Sequence, residues 1–292
     1  MTHPRPGPGE SVSARAERAT EFFKLSGAGN DFVALAEPDR DPPPEQIAGW
    51  CRRGLSLGAA GLFVLRRLPG AGTVPRVAMT HYNADGGRAE LCFNGARCAA
   101  RLAFHLGWAD SVVEVATEAG AFRAEPGPSR GTIAIEALVP AEAPRPVRLE
   151  VSGAGLDAWR LVVGVPHLVV LSETPIGELD LPRLAPPLRS HPALGPAGAN
   201  VDFVSFPEPG VLELRTWERG VEGETLACGS GILASARVGL MLEAATLPLD
   251  VRTRGGRALR LEGIAKDGEP VRWRLIGDAR LVAEGSLTGE SY

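Results

Sequence analysis

The stretch HYNADGGRAELCFNGARCAARLAFHLG, His81 to Gly107, has a worn copy further along the chain: WERGVEGETLACGSGILASARVGLML, Trp217 to Leu242. Each passes from a polar, glycine-bearing run through a cysteine and Asn-Gly or Ser-Gly into an alanine-rich apolar stretch. Nothing else constrains the fold as strongly, because these are the two longest helical patterns and both start just after a cysteine, Cys92 and Cys228. In the first, Cys98, Leu102 and Leu106 recur at helical spacing beside Ala99 and Ala103, and Gly107 is a stop signal. The second is apolar almost all round, the pattern of a helix buried within a wrap of sheet.

Strands account for most of the remainder. DFVAL, TIAIEALV, RLVVGVPHLVVL, VDFVSF and VLELRTW alternate or run apolar between turn residues. VVEVATEAGAFRAE predicts a hairpin turning at Ala119-Gly120, and LDVRTRGGRALRLEG another around Gly255-Gly256. A short helix is expected over Ile47–Arg53, after the loop Pro42-Pro43-Pro44. Short connections favour antiparallel or mixed sheet. GAGNDFVAL, from Gly27, also resembles GANVDFVSF, from Gly198, each with an asparagine just before a strand. The expected fold is therefore α+β (mixed α/β): two pseudo-symmetric lobes, each a mostly antiparallel or mixed sheet wrapped around a central helix. The ligand site belongs in the cleft between them. The expected division is a disordered tail at 1–20, an N-terminal lobe at 21–118 plus 278–292 holding Cys92, and a C-terminal lobe at 119–277 holding Cys228.

With 292 residues, a net charge of −4 and 44% hydrophobic residues, the chain has a soluble globular composition. Its basic residues are scattered, which argues against nucleic acid as a partner. No apolar run is long enough to span a bilayer, and the first twenty residues lack the apolar core of a secretory signal. A cytoplasmic setting follows as an expectation, with the four cysteines as free thiols. Cys98 and Cys51 read as small core residues.

Cys92 and Cys228 read differently. A helix start carries unpaired N–H groups and partial positive charge, which is expected to lower the pKa of a thiol placed there. The residues that follow can aim N–H groups at a carboxylate. Facing one another across a cleft, two such motifs would put one sulfur on each side of a small carboxylate ligand. Inversion of a carbon next to a carboxylate needs a base on one face and an acid on the other, and two thiols can exchange those roles. Pyridoxal phosphate would require a Schiff-base lysine, and Lys24 and Lys266 are the only lysines, neither in a phosphate-binding context. No cofactor and no metal are expected. Phe32 stands where a dinucleotide loop needs its third glycine, and Cys92 and Cys98 are too far apart for a C-x-x-C redox pair.

These motifs resemble those of the diaminopimelate epimerase family. FFKLSGAGNDF (Phe22–Phe32), NADGGRAELCFNGARC (Asn83–Cys98), GVPH (Gly164–His167) and ERGVEGETLACGSG (Glu218–Gly231) carry the resemblance, which covers most of the chain from Phe22 onward. It implies cofactor-independent epimerisation of LL- to meso-2,6-diaminopimelate, serving lysine and peptidoglycan synthesis, and a C-terminal strand returning to the first lobe. Cys92 and Cys228 would be the catalytic pair. Backbone at Phe93-Asn94 and Gly229-Ser230 would hold the carboxylate at the reacting carbon. Asn30, Asn83, Asn200, Glu218 and Arg219 would line the rest of the ligand, with His167 in a supporting role. Four positions depart from the family pattern: Phe93 replaces a glycine, Val165 an asparagine, and Arg52 and Ala60 acids. The expected partners are a small amino-acid substrate and a second copy of the chain in a homodimer. The alternatives are a racemase of the same fold for another amino acid and a non-catalytic amino-acid-binding protein. Facing thiols would also be expected to close into a reversible disulfide on oxidation.

Overall fold

Alternation of apolar and polar residues becomes a 17-stranded sheet in the computed structural model, which describes residues 20–70, 72–89, 92–138, 140, 142–151, 153–264, 272–288, 290 and 291. Of the expected tail, Thr20 alone falls among the described residues, and it opens the first strand. In chain order the elements are β1 (Thr20–Gly27), β2 (Asn30–Ala36), α1 (Pro44–Cys51), β3 (Gly61–Leu68), β4 (Arg76–Asn83), α2 (Phe93–His105), β5 (Val113–Thr117), β6 (Gly120–Pro126) and β7 (Thr132–Leu138). Next come β8 (Arg145–Val151), β9 (Ala154–Val163), β10 (Val165–Leu171), α3 (Leu181–Arg189), β11 (Asn200–Glu208), β12 (Val211–Glu218) and β13 (Gly223–Thr225). The last are α4 (Gly229–Met241), β14 (Leu249–Thr253), β15 (Leu259–Ile264), β16 (Arg272–Asp278) and β17 (Arg280–Leu287).

The pairing order repeats. Starting from β17, β1 and β2 follow antiparallel, β3 is parallel to β2, β4 antiparallel, β5 parallel to β4, then β6 and β7 antiparallel. Starting from β8, the strands β9, β10, β11, β12, β14, β15 and β16 run through the same senses. The two series join where β7 and β16 pair antiparallel. Each parallel step encloses a helix, as a crossover requires: α1 and α2 in the first series, α3 and α4 in the second. The C-terminal strand β17 closes on β1, pairing Thr20 with Leu287 at one end and Ser26 with Arg280 at the other. The architecture is a mixed α/β wrap, with α2 and α4 buried in one continuous core.

Local differences from expectation have physical causes. α1 begins at Pro44 because proline in the first turn forfeits an N–H that has no helical partner, and it ends at Cys51. α3 was not expected, and it runs through Pro186 and Pro187, residues that disfavour a helix interior. Its face of Leu181, Ala185 and Leu188 is buried, and that packing overrides the breakers. The match between Gly27–Leu35 and Gly198–Phe206 is not a structural equivalence. Asn30 opens β2 and Asn200 opens β11, and in the repeat their counterparts are Val165 and Gly61. Both asparagines start a strand after a glycine turn, so the likeness reflects the same local chemistry at two different places. Among the described residues no helix is long and apolar enough to cross a membrane.

Candidate active site

Cys92 and Cys228 are the N-cap residues of α2 and α4, and their sulfurs accept the backbone N–H of Gly95 at 3.2 Å and of Gly231 at 3.4 Å. The next amides, of Ala96 and Ile232, bond the carbonyls of the same cysteines. The first two N–H groups of each helix, at Phe93-Asn94 and Gly229-Ser230, are therefore left without helical acceptors. Both helix starts face one cleft of about 900 Å³. It is lined by Cys92, Cys228, Phe93, Asn94, Gly229 and Ser230, and also by Asn30, Asn83, Asn200, Glu218 and Arg219.

Strand register places those outer residues. Asn83 ends β4 opposite Gly61, and Val201 pairs with Trp217, which sets Asn200 beside Glu218. The Asn200 side-chain oxygen accepts the Arg219 N–H at 2.8 Å and so fixes the turn that presents that arginine. Asn94 behaves differently from the rest. Its side chain donates to the Ala227 carbonyl at 2.8 Å and accepts from Arg97, so its backbone rather than its amide faces the cleft.

His167 does not line the cleft. It is fully buried, with Nδ1 2.6 Å from Asp202 Oδ2, while Asp202 Oδ1 accepts the Thr216 hydroxyl at 2.8 Å. In the repeat, these three occupy the places of Phe32, Phe63 and His81 near Cys92. There Phe32 packs at 6.1 Å from Phe63 and 5.7 Å from His81, and burial pushes the His81 imidazole down to about 4. Behind the cleft, then, a hydrogen-bonded polar cluster stands on one side and a buried imidazole beside two phenylalanine rings on the other.

The thiols themselves correct the expected pKa. Burial pushes Cys92 up to about 11, helped by the charge of Glu218; the Gly95 N–H and the Arg97 charge act the other way and do not prevail. Cys228 lies well above the ordinary thiol value, because of burial first and then of Glu218 and Asp202. Helix-start polarity is present at both sites, but loss of water around the sulfur is the larger effect. Burial likewise raises the Glu218 carboxyl, against hydrogen bonds from Thr225 and from the Cys228 thiol. Cys51 and Cys98 are buried core thiols, and all four cysteines are free.

The departures have definite places. Phe93 turns its ring onto Phe122, centroids 5.2 Å apart, so it does not fill the cleft. Its Cβ would stand 2.5 Å from a Cβ built on Gly229, so the two helix starts touch there and glycine is required on one side. Gly229→Ala should therefore force the helix starts apart, costing about 1–3 kcal/mol of stability. Because Phe93→Gly by itself loses the ring packed on Phe122, the check is a double-mutant cycle. In a Phe93→Gly background Gly229→Ala should lower the melting temperature much less than in the parent, and a Gly229→Ala variant that melts with the parent would remove this account. Val165 and Ala60 line the cleft, while Arg52 is exposed outside it. Asp31 lies on the same rim, where its carboxylate accepts the Ala60 N–H and pairs with Lys24 and Arg53. Asp31, Arg97, Asp202 and Thr216 were not singled out in the sequence; only their positions opposite or behind the cysteine motifs reveal them. Among the described residues, no group of three or more His, Cys, Asp and Glu is placed to hold a metal ion.

The model of the family described as diaminopimelate epimerase matches residues 22–130 and 161–274. The diaminopimelate epimerase of Gemmatimonas aurantiaca is 37% identical over 283 residues, covering 92% of this chain and 99% of the relative. That of Aquifex aeolicus is 33% identical over 286 residues, covering 92% and 98%. Among solved structures, a hydroxyproline epimerase from Agrobacterium vitis with bound trans-4-hydroxy-L-proline aligns with a TM-score of 0.62 at 14% identity, over 94% of each chain. A phenazine biosynthesis protein of the PhzF family from Enterococcus faecalis aligns with a TM-score of 0.63 at 13% identity, over 92% of this chain and 98% of that one. At such identities these structures establish the fold and nothing further. With the family model matching both cysteine segments and relatives aligned nearly end to end, the chain belongs to the diaminopimelate epimerase family and is an isomerase.

Proposed function

We propose that the chain converts LL-2,6-diaminopimelate to the meso isomer without a cofactor, using Cys92 and Cys228 as base and acid on opposite faces of one carbon. The observation that carries this reading is the matched pair of cysteine N-caps on a single cleft. One sulfur, as thiolate, takes the α-proton. The electron pair left behind spreads into the adjacent carboxylate, which the backbone N–H groups of Phe93-Asn94 and Gly229-Ser230 at the helix starts stabilise. The other thiol then delivers its proton from the far side, and the two sulfurs end with exchanged protonation. Loss of water raises both thiols, Cys228 buried and Cys92 half-buried, so ionisation is expected to accompany substrate binding, when the ammonium group brings a positive charge into the cleft. Arg219 suits the distal carboxylate and Glu218 an ammonium group. The reading includes a cytoplasmic setting, which keeps both thiols reduced, and a place in lysine and peptidoglycan synthesis.

A specific observation supports one alternative substrate. Val165 brings an apolar side chain to the cleft wall at the place that Asn30 holds in the other half of the repeat. A smaller or less polar amino acid would suit such a wall. Incubation of reduced protein with LL-diaminopimelate in D₂O should give meso product carrying deuterium at the inverted carbon. Deuterium in another amino acid, with none in diaminopimelate, would move the assignment to that substrate. No exchange with any amino acid that binds would leave a non-catalytic binding protein.

A further inference from the structure

Behind the first cysteine lies a cation that the reaction described above does not use. Arg97, in α2, is fully buried. Its Nη2 donates to Asn94 Oδ1 at 2.5 Å, and its Nε and Nη1 have no hydrogen-bond partner. Nε would stand 3.2 Å from a Cβ on Gly277, so β16 passes against the guanidinium with a glycine. The carboxylate of Asp278 faces it, but that group accepts the Ala28 N–H at 2.6 Å and Arg280 Nε at 3.0 Å and makes no ion pair with Arg97.

Stability alone does not account for such a residue. A buried guanidinium without a carboxylate partner loses its hydration with little return. The start of α2 also carries partial positive charge, which disfavours a cation there. In α4, the residue at the same distance from the cysteine is Leu233, which is buried and apolar. What Arg97 does hold is Asn94, whose amide donates to the Ala227 carbonyl immediately before Cys228. The chain Arg97–Asn94–Ala227 is thus a hydrogen-bonded tie between the two cysteine-bearing helix starts. Charge is distributed unequally across that tie. Arg97 and Glu218 act on Cys92, whereas Glu218 and Asp202, both negative when ionised, act on Cys228.

We propose that Arg97 is a positioning residue for the two-cysteine reaction: through Asn94 it holds the two helix starts in register, and its buried guanidinium, which has only Leu233 as its counterpart in α4, sets the reactivity of Cys92 apart from that of Cys228. The inference rests on the epimerase reading of this cleft for its catalytic half, and on the structure alone for its charge half.

The test uses the reduced full-length protein with Arg97→Met and Arg97→Lys variants. Alkylation of Cys92 and Cys228 by iodoacetamide is followed separately, by peptide mass spectrometry, across a pH series without substrate. In the parent, the Cys92 rate should rise at lower pH than that of Cys228. Arg97→Met should slow Cys92 about tenfold, the equivalent of one pH unit, and leave Cys228 within about twofold. Arg97→Lys keeps the charge but not the planar fork, so Cys92 should alkylate within about threefold of the parent while kcat on LL-diaminopimelate falls up to about 10²-fold with KM little changed. Equal slowing of both cysteines, or an unchanged Cys92 rate in Arg97→Met, would overturn the charge half. Full kcat in Arg97→Lys would overturn the positioning half. If Arg97→Met does not fold, the parent pH series and Arg97→Lys decide: Cys228 reacting at the lower pH, or Cys92 slowed tenfold by lysine, is against the proposal. A parent with no turnover on LL-diaminopimelate would count against the functional reading, while the alkylation results would still decide the charge half.

Discussion

Replacing Cys92 or Cys228 by serine is expected to abolish epimerisation, with kcat lower by about 10³-fold or more, and to leave the protein folded. Serine separates two roles that alanine would confuse. Each cysteine is both an N-cap, accepting the N–H three residues on, and the proposed proton carrier. Alanine removes both and would cost about 1 kcal/mol of helix capping. Serine is a preferred N-cap, so the cap survives and the melting temperature should hold or rise. The alcohol cannot carry a proton away at neutral pH as a thiol can, and general acid–base catalysis contributes about 10²–10⁴-fold. Loss of activity at unchanged stability therefore points to chemistry, and equal loss in both serine variants points to two carriers. Full turnover in either variant would exclude a two-thiol mechanism. In the parent, mild oxidation should inactivate and dithiothreitol should restore activity, through a Cys92–Cys228 disulfide that neither serine variant can form.

The cysteine segments were legible in the sequence because helix capping is local chemistry. A thiol before Asn-Gly or Ser-Gly and an alanine-rich run has few other uses, and α2 and α4 begin where that chemistry puts them. The asparagines Asn30, Asn83 and Asn200 were named as ligand residues by the family resemblance, and each lines the cleft from a strand end. What sequence could not show depends on distance along the chain. Asp202 meets His167 only because β10 and β11 run parallel across a crossover through α3, and prolines hide that helix. Arg97 looks like any exposed helical arginine until Gly277 and Asn94 close over it. The thiol pKa went the wrong way for the same reason. The favourable helix start is written in adjacent residues, whereas the burial that outweighs it comes from every element packed around the cleft.

The largest expected effect on stability lies in the buried polar cluster of His167, Asp202 and Thr216 behind the cleft. Asp202→Ala should destabilise the protein by about 3–5 kcal/mol, the usual result of removing one partner of a buried pair. His167, whose Nε2 already lacks a hydrogen-bond partner, would lose its bond at Nδ1, and the Thr216 hydroxyl would lose its acceptor. None of the three is more than slightly exposed, so water could not readily replace the carboxylate. For a chain of this size the melting temperature should fall on the order of 10 °C. Asp202→Asn keeps an acceptor for Thr216 and nearly the same volume, so it should lose much less, about 1 kcal/mol. Its effect on reactivity has the opposite sign. The charge of Asp202 is one of the influences that raise the Cys228 thiol, so its removal should lower that pKa and speed Cys228 alkylation at a fixed pH. Cys92 is not among the groups on which Asp202 acts, and its rate should stay put. A less stable protein with a more reactive Cys228 and an unchanged Cys92 is a combination that general loosening of the cleft would not produce. An Asp202→Ala variant melting within about 2 °C of the parent would mean that the triad of His167, Asp202 and Thr216 does not support the second helix start.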